Sequence, residues 1–215
     1  STDKILKRLS AGDDIALISD AGTPLISDPG YRLVHEARLN GFSVVPIPGA
    51  SAVIAALSVS GLPTDKFRFI GFLPSKSSQR KTVIEALKAV TETIVCYEAP
   101  HRIANTIEDF SAIFGSQRLA FMAREITKKF ETYLHGNLRD LLDQVKEDTN
   151  QQRGEIVLVI AGQEKIGETM PADSEKLLGL LIKELPLTKA ASIAAKITGG
   201  DKKQLYQLAL SMQDK

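Results

Sequence analysis

Small and polar residues follow the apolar, strand-like runs of the first half of the chain, at the point where each run ends. The run ALI at 16–18 leads into SDAGTP at 19–24, a later run leads into PGAS at 48–51, and another ends in Tyr97 and Glu98. Loops of small residues let a flat or extended ligand approach the main chain closely, which suits a nucleoside-type cofactor. Because ligands of open α/β sheets bind beyond the carboxyl ends of the strands, these clusters predict a cofactor crevice at one edge of a sheet.

Acidic residues of these clusters are candidates for binding or chemistry. A carboxylate at the end of a buried strand needs hydrogen-bond donors, so Asp20 is expected either to contact a ligand or to form a local Asx turn. Glu98 ends another strand-like run, and Arg102 lies one helical turn later as an ion-pair partner. Asp28 instead precedes Pro29 at a predicted helix start, so it is interpreted as a helix N-cap.

Other positions leave alternatives open. Ser51 is expected either to cap the helix that follows it or to contact the ligand. Arg124 and Glu125 end a further strand-like run, and neighbouring residues of a strand point to opposite faces. Only one of these two side chains can therefore face a crevice if both lie in the strand.

Several common kinds of site are excluded by the motifs. No G-x-G-x-x-G or G-x-x-x-x-G-K-[ST] sequence is present, so the standard dinucleotide and P-loop phosphate cradles are missing. The three histidines, His35, His101 and His135, are far apart and lack metal-ligand spacing, so no metal site is expected. A G-x-S-x-G nucleophile elbow is also absent. The residues alone therefore predict a cofactor crevice without fixing the reaction.

Alternating strand and helix patterns position these clusters and predict an α/β fold with some antiparallel pairing late in the chain. The predicted strands are 14–19, 42–46, 66–73, 91–98, 118–126, 130–136 and 154–162, and the predicted helices are 3–11, 30–40, 52–60, 77–90, 100–114 and 137–147.

The last fifty residues have a different pattern. A polar linker at 163–174 is followed by a purely helical region at 175–215, in which two helices flank Gly199 and Gly200 in a helix-turn-helix layout. Residues 185–215 carry five lysines against two aspartates, a net charge of +3. Composition leaves open whether this appendage is a helical cap or dimer element, or contacts RNA.

The overall composition is that of an ordinary globular protein. Charged residues make up 25% of the 215 positions and the net charge is +1, so any nucleic-acid binding must depend on a local patch. The single cysteine, Cys96, lies inside an apolar run and is predicted to be a buried thiol, which fits a cytoplasmic location. No apolar stretch reaches the roughly 18 residues of a membrane span, so no membrane association is expected.

Several long motifs in the same order resemble those of the RsmI-type 16S ribosomal RNA 2′-O-ribose methyltransferases, in the tetrapyrrole methylase superfamily. They read SDAGTPLISDPG, PIPGASA, FIGFLP, YEAPHR, AREITKKFET and RGEIVLVIAG, and the resemblance continues through LPLTKAASIAAKITGGDKKQLY. Members of that family open with a further strand, a P-x-P-x-G-N-type loop and an E-D-T-R segment, which are not present here. We therefore expect this chain to be a fragment that lacks part of the crevice and full activity.

The resemblance implies a tetrapyrrole methylase-like fold and a homodimer. It implies two α/β lobes, at 1–65 and 66–162, with S-adenosylmethionine (SAM) in the crevice between them. It implies methylation of the ribose 2′-OH of a cytidine in 16S rRNA of the small ribosomal subunit. Carried onto this sequence, the expected cofactor-binding residues are Asp20, Ala21, Gly22, Thr23, Pro24, Ser51, Ala52, Tyr97, Met122, Ala123, Val157 and Leu158.

A ribose hydroxyl is a weak nucleophile, so a general base would assist the transfer. Glu98, Glu125 and, if burial lowers its pKa, Lys128 are the candidates. The expected RNA-binding residues are Arg102, Arg124, Lys128, Lys129, Lys202 and Lys203. Two other functions are alternatives: a SAM-dependent methylase of a corrin-type macrocycle, and a non-catalytic RNA-binding protein. The basic residues favour the RNA methyltransferase, because a macrocycle enzyme has no evident need for them.

Overall fold

The computed structural model describes residues 2–164 and 174–213. The described residues divide into two compact units, with the boundary between Gly162 and Gln163. None of the described helices combines the length and the apolar character that crossing a bilayer requires.

A five-stranded sheet forms the centre of the first unit. Its strands are β1 Phe67–Phe72, β2 Thr93–Glu98, β3 Leu119–Arg124, β4 Thr132–Asn137 and β5 Ile156–Ile160, in the spatial order β1-β2-β5-β3-β4. Only β1 and β2 pair in parallel, whereas β5 is antiparallel to both β2 and β3, and β4 is antiparallel to β3. The predicted α/β class and the late antiparallel pairing are confirmed. All five residues of β5 are buried, which is typical of a strand whose two faces are both covered.

Helices cover both faces of this sheet. On one face α4 (Ser77–Leu87), α5 (Ile103–Phe114) and α6 (Leu138–Glu147) pack over Ile94, Cys96, Met122 and Leu158 of the strands. On the other face α3 (Ala52–Val59) packs on Val95, Phe121, Ala123, Val157 and Val159. Cys96 is buried as predicted, and burial raises the pKa of its thiol well above the usual range. The alternation of β2, β3 and β5 between these two cores decides which side chains face α3.

The segment before β1 differs from the prediction. It contains α1 (Thr2–Ser10), α2 (Tyr31–Leu39) and α3, but the predicted strands at 14–19 and 42–46 are wrong. A strand exists only when its backbone groups pair with a neighbour, and neither segment has such a partner among the described residues. Ile18 and Val45 are accordingly 84% and 72% exposed. A lobe boundary at residue 65 stays a prediction.

Three helices make up the described part of the second unit: α7 Ser174–Glu184, α8 Leu187–Thr198 and α9 Lys202–Gln213. Small and apolar residues, among them Leu178, Ala194 and Leu205, are fully buried between them. Gly199 ends α8 in the left-handed conformation, and the Asp201 carboxylate accepts hydrogen bonds from the backbone N–H groups of the first turn of α9. The predicted helices are therefore confirmed, whereas most of the predicted linker, residues 165–173, lies outside the described residues.

Candidate cofactor and substrate site

Three strand ends meet at one edge of the sheet. Glu98, the last residue of β2, and Arg124, the last residue of β3, both pair with Ile156 at the start of β5. The antiparallel direction of β5 therefore brings the residue before it, Glu155, to the carboxyl ends of β2 and β3. Glu125 confirms this proximity, because its backbone N–H donates to the carbonyl oxygen of Glu155 at 2.9 Å.

The two small-residue loops contact each other. Thr23 Oγ1 donates a hydrogen bond to the carbonyl oxygen of Ala50 at 3.1 Å. Gly22 has φ of 67°, a conformation that favours glycine, and a Cβ built on it would be in ordinary contact with the same oxygen at 3.5 Å. Asp20, Ala21 and Thr23 are exposed. The loops thus present exposed main chain and one carboxylate as a continuous surface.

Ser51 occupies the N-cap position of α3, but its side chain makes no capping hydrogen bond. The cap position predicted from the sequence is confirmed, and the hydroxyl stays available for a ligand. Ala52, the first residue of α3, is half-buried beside the apolar cluster under that helix.

Asp28 does not cap α2, so that prediction is wrong. The N-cap residue is Gly30, and Leu25 and Ser27 both take positive φ values, of 72° and 61°. With this strained backbone the Asp28 carboxylate lies beside Ser19, whose hydroxyl donates a hydrogen bond to it. Strained backbone of this kind is found at functional sites, where the surrounding structure holds it.

The loop at 25–28 also approaches the sheet edge. A Cβ built on Gly71 of β1 would lie 3.7 Å from Ser27 Oγ. Burial raises the pKa of the Tyr97 hydroxyl, and the negative charges of Asp28 and Glu155 raise it further. Asp28, which the sequence suggested only as a helix N-cap, therefore lies close to the Tyr97 end of β2. The unusual length of the connection from residue 19 to α2 was the only signal for it.

Tyr97 is half-buried at the end of β2 and lies among aromatic rings. The centroid of its ring is 5.0 Å from that of Phe69 and 5.4 Å from that of Phe72. Phe72 is 57% exposed, so an aromatic surface is open to solvent at this edge. Such a surface suits a flat heterocycle.

Glu98 is anchored by internal donors. Its side chain is buried, and it accepts hydrogen bonds from Arg102 Nε at 2.9 Å, from Thr106 Oγ1 at 2.6 Å and from the backbone N–H of Ala99 at 2.6 Å. An Arg-paired carboxylate that is saturated in this way has no face left for a substrate proton. The geometry therefore disfavours Glu98 as a general base and gives it a structural role, with Arg102 as the expected partner.

Glu125 and Lys128 neutralise each other at the start of the segment between β3 and β4. Lys128 Nζ lies 2.8 Å from Glu125 Oε1 and 3.0 Å from Glu155 Oε2. The hydrogen bond from Lys128 lowers the pKa of Glu125, and the bonds to Glu125 and Glu155 raise the pKa of Lys128. A base role for Lys128 would need a lowered pKa, but the pKa of Lys128 is raised. The lowered pKa of Glu125 makes it a weaker base than an ordinary glutamate.

The sequence of this chain matches two family models. Residues 2–142 match the family model of the tetrapyrrole (corrin/porphyrin) methylases, and residues 168–213 match that of the RsmI C-terminal HTH domain. A relative from Pseudomonas aeruginosa, named ribosomal RNA small subunit methyltransferase I, is 50% identical over 99% of this chain and 76% of its own length. The chain belongs to the ribosomal RNA small subunit methyltransferase I family of tetrapyrrole methylases.

Other members and neighbours agree with this assignment. The relative of the same name from Escherichia coli O157:H7 is 47% identical over 97% of this chain and 73% of its own length. The crystal structure of the methyltransferase CobJ has a TM-score of 0.56 and 17% identity, covering 77% of this chain and 72% of that one. Cobalt precorrin-4 methyltransferase, CbiF, has a TM-score of 0.52 and 13% identity, covering 74% of this chain and 68% of that one. CobJ and CbiF therefore share the fold of this chain.

Within this family fold, the expected SAM-binding residues divide by the face of the sheet. Tyr97, Ala123 and Val157 lie on the side of α3, together with the small-residue loops. Met122 and Leu158 are fully buried in the core on the opposite face, so their side chains do not line the same surface. Both residues also pair with a strand on each side, so neither is open to a cofactor.

The expected RNA-binding residues of the methylase also divide. Arg124 is 7% exposed, and its guanidinium donates to Thr132 Oγ1 at 2.9 Å and to Gln151 Oε1 at 3.2 Å. It is therefore an interior residue that holds the ends of β3 and β4, which disfavours an RNA contact. Lys129 is exposed at the sheet edge. Lys202 and Lys203 are exposed on α9 of the second unit.

Proposed function

We propose that this chain transfers the methyl group of SAM to the ribose 2′-OH of a cytidine in 16S rRNA of the small ribosomal subunit. The observation that supports a cofactor site most directly is the contact between Thr23 and Ala50, which joins two exposed small-residue loops. Membership of a family whose curated relatives are named ribosomal RNA small subunit methyltransferase I supports the substrate.

The residues present fit SAM chemically. The joined loops at 19–24 and 48–52 offer main-chain groups to the methionine part, and Tyr97 offers an aromatic surface to the adenine. Asp20 is an exposed carboxylate, which suits the positive charge of the ammonium group of SAM. When bound, SAM supplies an electrophilic methyl carbon to the attacking oxygen.

The chain itself must orient the ribose and accept its proton. Holding the hydroxyl in line with the methyl carbon supplies much of the rate enhancement of such a displacement. Glu98 is saturated and Glu125 is paired with Lys128, whereas Asp28 is an exposed carboxylate with only the Ser19 hydroxyl as its side-chain partner among the described residues. We assign proton acceptance to Asp28. The carboxylate would take the proton of the 2′-OH as the oxygen–methyl bond forms. The sulfur–methyl bond of SAM would break at the same time, with its electron pair left on the sulfur of the departing thioether.

The resemblance also supports a homodimer in the cytoplasm. Ile18, Val45 and Ile47 are 84%, 72% and 82% exposed, and an apolar surface of this kind suits burial against another chain or segment. Light scattering coupled to gel filtration checks the dimer.

The proposal is tested by incubating the chain with radiolabelled SAM and small ribosomal subunits that lack the modification. Label that digestion to nucleosides recovers in 2′-O-methylcytidine supports the proposal. A corrin-type macrocycle methylase, which the CobJ and CbiF folds make the second candidate, would bind SAM and leave the RNA unlabelled. That outcome contradicts the proposal.

A further inference from the structure

An exposed aromatic ring lies in the segment between β3 and β4, which we call the β3–β4 connector (125–131). Phe130 is 62% exposed, and Lys129 Nζ lies 5.6 Å from the centroid of its ring. Neither the SAM-binding loops nor the assigned proton acceptor uses this ring.

Hydrogen bonds hold the connector in one conformation. Thr127 has φ of 67°, and its backbone N–H donates to Glu131 Oε2 at 2.6 Å. The backbone N–H of Glu131 donates to the Lys128 carbonyl oxygen at 3.1 Å, and Thr132 Oγ1 donates to the Phe130 carbonyl oxygen at 3.0 Å. Because these bonds hold the backbone of the connector, little backbone conformational entropy is lost when the ring binds a ligand.

The connector starts at the edge of the sheet where the cofactor surface lies. It leaves the carboxyl end of β3, and Ile126 packs in the same apolar cluster as Tyr97 and Ala52. Lys128 ties it to Glu155 beside β5. A nucleotide bound on the connector is therefore close to the proposed site of methyl transfer.

The charges of the connector favour a nucleotide over an apolar partner. Lys128 is compensated by Glu125 and Glu155, whereas Lys129 makes no ion pair with the residues that the structure describes. An exposed ring beside an uncompensated ammonium group matches a base next to its phosphate. Bases of a duplex are already stacked on both sides, so a protein ring gains most from an unpaired base.

We propose that Phe130 is a stacking platform for an unpaired base of the RNA substrate, with Lys129 contacting the adjoining phosphate. This rests on the proposed function, since it names the feature of the RNA that the same site binds.

Binding of the full chain to a labelled single-stranded oligocytidine and to a labelled blunt RNA duplex of equal length tests the proposal. We expect Phe130→Leu to weaken oligocytidine binding on the order of ten-fold, because stacking needs a ring, and Phe130→Tyr to bind like the wild type. Duplex binding should not change. Phe67→Leu is the matched control, since Phe67 is 40% exposed at the opposite end of the sheet, paired with Thr93. SAM affinity and melting temperature confirm that each variant is folded.

Each other outcome overturns the stacking proposal. If Phe130→Leu binds oligocytidine like the wild type, the ring does not stack on a base. If Phe130→Leu weakens single-stranded and duplex binding equally, the ring supports the RNA-binding surface as a whole and does not stack on an unpaired base. Unchanged RNA binding with slower methylation of assembled subunits assigns it to a protein contact. A wild-type chain that binds SAM and neither RNA also overturns the stacking proposal. Labelling of small ribosomal subunits by the same chain then tests the proposed function separately.

Discussion

Thr23 Oγ1 donates a 3.1 Å hydrogen bond to the carbonyl oxygen of Ala50, and so joins two loops that are 27 positions apart in the sequence. The bond connects the loop after residues 16–18 to the loop before α3, neither of which belongs to a strand. Because both loops are exposed, the bond adds little to the hydrophobic core and mainly fixes the position of one loop against the other. It is the structural basis of the proposed SAM site.

Removal of this bond should weaken SAM binding without unfolding the chain. Thr23→Val keeps the shape of the side chain and loses the donor, so we expect roughly three- to ten-fold weaker binding by titration calorimetry, the usual worth of one hydrogen bond. Thr23→Ser keeps the hydroxyl and should bind SAM like the wild type. Equal affinity of the valine variant and the wild type would show that the bond does not organise the site.

Glu98 should prove essential for stability and not for proton transfer. Glu98→Gln leaves the partly buried Arg102 without its counter-charge, so we expect a loss of about 2–4 kcal/mol in the free energy of unfolding, measured in urea. The matched control is Glu108→Gln, which removes an exposed pair with Lys146 and should cost less than about 1 kcal/mol. A Glu98→Gln variant that is as stable as the wild type but has lost turnover would instead make Glu98 the base.

The pair formed by Glu125 and Lys128 should make stability depend on pH. The folded-state pKa of Glu125 is lowered, so its carboxylate stabilises the fold above its ordinary pKa, and that stabilisation is lost as the pH falls through the lowered value. Lys128→Met removes the main cause of the shift. We therefore expect its deficit in unfolding free energy to be larger at about pH 7 than at about pH 4. Lys129→Met should show no such pH dependence, and a deficit for Lys128→Met that is the same at both pH values contradicts the assignment.

Asp28 and Asp20 should differ in the kinetic parameter that they control. Asp28→Asn keeps the shape but cannot accept a proton, so we expect kcat to fall by about 100- to 10,000-fold with SAM affinity retained. Asp20→Asn should raise the Kd for SAM and leave kcat nearly unchanged. If both variants change only SAM affinity, Asp28 is a binding residue and another group accepts the proton.

The sequence predicted the elements whose signal is local. Continuous apolar runs identify β2 and β5, and an amphipathic period identifies α5 and α6, in each case without a neighbouring element. The predicted strand at 14–19 was wrong because strand pairing depends on a partner distant in sequence.

The same distinction applies to the candidate site. The two small-residue loops could be located from composition alone, but their contact through Thr23 could not. Asp28 was misassigned because two positive φ values, at Leu25 and Ser27, redirect the chain before α2. The interior role of Arg124 depends on Gln151, which is distant in sequence.

Hydrogen–deuterium exchange of the chain with and without SAM tests the central claim most directly. The exposed main chain of residues 19–24 and 48–52 should exchange fast in the free protein, because little of it is paired in secondary structure. SAM should slow exchange in both loops together, and less so in the Thr23→Val variant. SAM binding that leaves both loops unprotected, or that protects only residues 174–213, would contradict the account.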